Sequence, residues 1–130
     1  MNKLFVVAML VCVIACNKKN GATAGKRADG SIVGKWKLTE SLADPGDGSG
    51  VWTAADPVNP VYLEFKEDNS LIFTPSGIYN SDHYRILSDS TILFLRDTDQ
   101  LQLRYKLLEN KLTLTPPCYE PCGQKYIAVE

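Results

Sequence analysis

Gly34-Lys35-Trp36-Lys37-Leu38-Thr39-Glu40 decides the fold. A glycine, a tryptophan and an alternation of polar with apolar residues open the first β-like run of the chain. The same alternation recurs downstream. Leu63/Phe65, Tyr84/Ile86, Ile92/Phe94, Leu103/Tyr105/Leu107 and Leu112/Leu114 each put apolar side chains on one face of a strand. Glu64, Lys66, Arg85, Gln102, Arg104 and Lys106 fall on the other face. Eight strands are expected, over 33–42, 61–66, 70–75, 82–87, 91–96, 101–108, 111–115 and 125–129. Asp68-Asn69, Ser88-Asp89-Ser90, Asp97-Thr98-Asp99 and Glu109-Asn110 supply tight turns between them. From the second strand on, starts recur roughly every ten residues, the spacing of an antiparallel meander. No window holds a helical period. The fold class is all-β.

The chain has 130 residues, 45% hydrophobic and 22% charged, which is ordinary composition for one globular domain. Its formal charge is −1. Without Lys3, 13 basic residues face 15 acidic ones, a net −2. No basic stripe interleaved with aromatics is present, so no nucleic-acid partner is expected. No apolar run reaches the length of a membrane-spanning helix.

The first fifteen residues carry the sharpest signal. Met1-Asn2-Lys3 is a short basic start, and residues 4–14 form an apolar run of export-signal length. The run ends in Val13-Ile14-Ala15-Cys16, which resembles the lipoprotein box of bacteria. That resemblance implies cleavage before Cys16, lipid on its sulfur and an acylated new amino terminus. A plain export signal with an incidental cysteine is the weaker reading. Acyl chains contribute ~0.8 kcal/mol per buried CH₂, so two or more make a stable membrane anchor. Residues 16–31 then form a lipidated cysteine and flexible tether, with a reach of roughly 20 Å. Lys18, Lys19, Lys26 and Arg27 either rest on anionic headgroups or solvate a linker. Lysines rather than acidic residues follow Cys16. The expected location is therefore the bacterial cell envelope, lipid-anchored to the outer membrane and facing the periplasm.

Of the four cysteines, Cys12 falls in the leader and Cys16 takes the lipid. Cys118 and Cys122 remain, flanked by Pro117 and Pro121, and in an exported protein a close pair of this kind is expected to form a disulfide. Zinc needs four N or S ligands, and His83 is the single histidine. The spacing does not match a redox C-x-x-C motif.

The ordered set of Gly34-Lys35-Trp36, the Gly- and Asp-rich segment 44–50, Leu63-Glu64-Phe65-Lys66, and Cys118 and Cys122 before Lys125-Tyr126 resembles the lipocalin-like lipoproteins of Gram-negative envelopes. The resemblance covers residues 32–130. It implies a single eight-stranded antiparallel up-and-down barrel in which Gly34 and Trp36 close one end. It also implies that the long first loop, 43–60, folds over the mouth as a lid. In larger relatives a late arginine lies across the tryptophan, and here Lys125 is the nearest candidate for that cap.

Such a barrel has room for packed side chains or one small ligand. The inward residues are bulky, so a pocket is expected to be shallow and roofed by Trp52, with Tyr84, Phe94 and Tyr105 as further ligand contacts. Asp44, Asp47 and Asp56 do not match the spacing of a calcium loop. Ser81-Asp82-His83 holds triad residue types, yet adjacency in sequence does not build triad geometry. No metal, cofactor or catalytic residue is assigned. The expected function is a membrane-tethered, non-enzymatic binder of a small hydrophobic or amphipathic molecule. The alternative is an envelope scaffold whose filled barrel presents loops to a protein partner.

Overall fold

A computed structural model describes residues 30–76 and 79–130. The leader, Cys12, Cys16 and the tether up to residue 29 lie outside the described residues. Among those described there is no helix, and nine strands make one antiparallel sheet. They are β1 (Gly34–Ala43), β2 (Thr53–Ala54), β3 (Tyr62–Phe65), β4 (Leu71–Thr74), β5 (His83–Ile86), β6 (Thr91–Arg96), β7 (Asp99–Leu108), β8 (Lys111–Thr115) and β9 (Cys122–Val129).

Eight of them run β4-β3-β1-β9-β8-β7-β6-β5 around the wall, and β2 adds to β1 alone. The wall nearly closes where Ser70 bridges His83. There the Leu71 N–H donates to the Asp82 carbonyl at 2.8 Å, and the Tyr84 N–H to the Asn69 carbonyl at 2.9 Å. β3 pairs with β4, each strand from β5 to β8 pairs with the next, and β9 returns to β1, which is the order of an up-and-down barrel. Near-closure at the Ser70–His83 bridge leaves little sheet edge to template pairing with other chains. The expected fold class is the one observed.

The turns follow the local chemistry. Asn69, Asp97 and Glu109 adopt positive φ, of 66°, 50° and 53°, the left-handed conformation that tight reversals require. Gly34 takes φ 124°, a conformation that side chains rarely allow. Its role is thus in the backbone at the foot of β1.

Inside, the strand alternation builds the core. Trp36, Leu63, Phe65, Ile92, Phe94, Leu112 and Leu114 are fully buried, and no polar or charged side chain joins them among the described residues. Burial of each side chain of this size contributes roughly 1.5–3 kcal/mol. Ile86, expected inside, is half-exposed because β5 overhangs that end of the wall. β9 begins earlier than expected, at Cys122, because the upper part of β1 (Ser41, Leu42, Ala43) continues to pair with it.

The two ends of the barrel differ in construction. One end, reached by the chain at residue 30, is closed by short turns and by Trp36. Its indole N–H donates to the Ile32 carbonyl at 2.8 Å. The other carries the long connections 44–61, 75–82 and 116–121, here termed the loop end.

Candidate functional site

At the loop end the side chains that point inward from β9 are Gln124 and Tyr126. Register places Gln124 opposite Ser41 of β1 and Leu114 of β8. The Gln124 amide oxygen accepts two hydrogen bonds, from the Tyr79 hydroxyl at 2.6 Å and from the Tyr126 hydroxyl at 3.1 Å. Tyr79 belongs to the β4–β5 connection and not to any strand. Its ring lies 5.4 Å from Phe73 and 5.4 Å from Phe94, while Phe73 and Phe94 are 6.0 Å apart. Three rings in tilted and edge-on contact contribute about 0.5–1.5 kcal/mol per pair beyond area burial. Two aromatic rings and one amide thus form a seat for the Tyr79 phenol.

Electrostatics suits this seat. Burial pushes the Tyr79 phenol up to about 12, although its bond to Gln124 pulls the other way. Burial also raises Tyr126, with the neighbouring Tyr79 adding to the effect. Both hydroxyls remain protonated donors at any physiological pH, and the two bonds hold the Gln124 side chain in one orientation.

The paired part of the long connection 44–61 does not roof this seat. Ala54 and Thr53 pair with Glu40 and Ser41, so β2 extends the wall beside β1. A bulge at Thr39 marks where β1 exchanges β3 for β2, and the Ala55 N–H donates to the Thr39 carbonyl at 2.8 Å. Trp52, just before β2, lies on the outside of the barrel against Gly123. A Cβ built at Gly123 would stand 2.9 Å from the Trp52 ring. Gln124 and Tyr126 point inward, so Gly123 and Lys125 point outward. The expectation that Trp52 lids the mouth is therefore corrected: the loop is held to the wall by strand pairing.

Lys125 is corrected with it. Its Nζ sits 4.0 Å from the centroid of the Trp52 ring and 2.8 Å from Glu40 Oε2, on the outer face. Trp36 faces the interior, so Lys125 cannot cap it. Of the other expected contacts, Phe94 lies in the core beside Tyr79. Tyr84 and Tyr105 lie towards the closed end, where their hydroxyls donate to the carbonyls of Lys66 and Ser88 at 2.8 and 2.9 Å. They border a cleft of about 380 Å³ against residues 30–33. Trp52, Tyr84 and Tyr105 share no site with one another at the mouth. Tyr79 and Gln124 went unmarked by motif or period. One signal for them exists: a lone large ring in a turn-rich segment, and an amide two residues before an inward tyrosine.

The loops around the mouth are built by their own side chains. Asp44 accepts backbone N–H bonds from Gly46, Gly48 and Gly50 at 2.8, 3.1 and 2.7 Å, which holds its carboxyl below the usual range. Those bonds are the local reason for the Gly- and Asp-rich sequence. Cys118 and Cys122 are disulfide-bonded, with Cα atoms 6.1 Å apart, and the Asp44 N–H donates to Pro121 O at 3.0 Å. The first loop and the disulfide loop are thus fixed to each other. Asp82 and His83 form an exposed pair, 2.7 Å apart on the outer face. Among the described residues no group of three or more His, Cys, Asp or Glu side chains is placed to hold a metal.

Comparison with protein-family models and with curated proteins finds no match to the chain.

Proposed function

We propose that this protein is a non-enzymatic binding barrel, held at a bacterial envelope membrane by a lipidated Cys16, that takes one small hydrophobic or amphipathic molecule at its loop end. The observation that carries the reading is the Tyr79 seat. A phenol from outside the strands lies between Phe73 and Phe94 and donates to Gln124. A ligand with an apolar body and one hydrogen-bond donor has the same chemistry, and would occupy the place the phenol holds. Small-molecule sites of this kind combine apolar walls with a few fixed polar groups. The lipocalin-like pattern of the sequence supports the same reading by analogy of fold.

Titration with dodecanol, followed by native mass spectrometry, tests it. The Tyr79→Ala variant is expected to take one equivalent and to bind more tightly than the parent chain. Adding Gln124→Leu should weaken that uptake about tenfold, the effect of leaving a buried polar partner unmade. No uptake by a folded Tyr79→Ala variant would overturn the proposal.

A second reading, a scaffold for an envelope protein, has one observation of its own. Val51, Val58 and Tyr119 are exposed at the loop end, Val58 to 81%. Photo-crosslinking from Val58 in intact cells tests it, and recovery of the monomer alone would count against it.

A further inference from the structure

The outer face of β7, β8, β9 and β1 carries two rows of side chains in register. Lys106, Thr113, Lys125 and Glu40 form the first row, and Leu108, Lys111, Ile127 and Lys37 the second. In the first row Lys125 is neutralised by Glu40 at 2.8 Å. Lys37, Lys106 and Lys111 have no ion-pair partner among the described residues. Between them Leu108 is 61% exposed and Ile127 39%, and the rows border a shallow cleft of about 340 Å³. Lys35 and Arg104 extend the basic strip along β1 and β7. The loop end has the opposite sign: Asp44, Asp47, Asp56, Asp97, Asp99 and Glu120 lie in or beside its connections, and Arg96 ends β6 there.

We infer that this face docks flat on an anionic lipid surface, with Leu108 and Ile127 entering the headgroup layer and Lys37, Lys106 and Lys111 beside phosphates. Two features select a membrane over other anionic partners. The pattern mixes cations with exposed aliphatic side chains, which suits an interface between acyl chains and headgroups. The described chain also begins at residue 30, at the closed end beside the foot of β1. Thirteen residues, 17–29, lie between it and Cys16, which caps the separation at about 50 Å. A barrel held that close to a lipid surface meets it with its basic face, and the acidic loop end turns away. The inference deepens the tethered reading and rests on it for proximity.

The test uses the full lipidated chain on vesicles of phosphatidylcholine alone or with one-quarter phosphatidylglycerol. A fluorophore is placed through Leu108→Cys or, separately, through Val58→Cys, and headgroup-labelled lipid serves as quencher. Quenching is expected at Leu108 and not at Val58, only with phosphatidylglycerol. It should fall on the order of tenfold for Lys106→Glu with Lys111→Glu. It should also vanish near 1 M salt, where screening acts within about 3 Å. Equal signals from the two positions on phosphatidylglycerol vesicles would overturn the docking face. So would Leu108 quenching that ignores lipid charge and grows with protein concentration, which would point to a second copy. Failure to float with phosphatidylcholine vesicles would remove the tether alone. A Leu108 signal kept on the anionic vesicles would then still support the face.

Discussion

Trp36 and Tyr79 close opposite ends of one barrel in different ways. Trp36 sits on a strand, is fully buried, and gives its N–H to Ile32, four residues away. Tyr79 sits off the strands, is partly exposed, and reaches 45 positions along the chain to Gln124. A strand residue bonded to a partner four positions away makes a permanent seal. A residue offered by a connecting segment to a distant strand makes a contact that a ligand of like chemistry can replace. The difference places the structural seal at the closed end and, under the proposed function, the replaceable contact at the loop end.

Trp36→Ala should separate the two ends most strongly. Removing a buried indole costs about 3–5 kcal/mol, so chemical denaturation is expected to show a large loss of midpoint or no cooperative fold. Tyr79→Ala should leave a cooperative transition. If the two variants lose equal stability, the contrast between the ends fails.

Alkaline pH sharpens the comparison next. An unfolded phenol ionises near 10, whereas burial holds folded Tyr79 protonated to about 12. The folded state therefore binds the extra proton, and stability falls as pH rises through that window. The slope is about 1.4 kcal/mol per pH unit for each such phenol. Tyr79→Phe should flatten the slope by one group, and Tyr126, Tyr84 and Tyr105, whose phenols burial also pushes up, contribute to what remains. Denaturant midpoints at stepped pH values measure it, and an unchanged slope would place Tyr79 in solvent.

Gly123→Ala has the smallest expected effect. The added methyl meets the Trp52 ring, at a cost of about 1 kcal/mol. Trp52 emission should shift to the red while dodecanol uptake stays as in the parent chain. Lost uptake would mean that the Trp52 loop belongs to the mouth after all.

The sequence made the barrel legible because strand alternation is a local signal. Seven of the eight wall strands fall within the expected spans or start a few residues earlier, β1 runs one residue past its span, and the turn residues Asn69, Asp97 and Glu109 lie where their chemistry placed them. The site was less legible because its contacts are distant in sequence. Gly123 accepts Trp52 from 71 positions away, and two paired residues in β2 decide that the first loop joins the wall. Neither leaves a periodic trace. The resemblance to larger lipocalins makes Lys125 the candidate cap for Trp36, in place of their late arginine. Outward pleating sends it instead to Trp52 and Glu40. Gln124 was within reach, since an inward Tyr126 obliges the residue two before it to point inward as well.

The central claim is that the Tyr79 seat is a ligand site, and mass spectrometry of organic extracts tests it most directly. The parent chain and Tyr79→Ala would be purified from the same cells and extracted in parallel. The account expects one defined amphipathic molecule, richer in the Tyr79→Ala extract and depleted when Gln124→Leu is added. Clean extracts from all three folded proteins would contradict it, and the loop end would then have to be sought as a protein-binding surface.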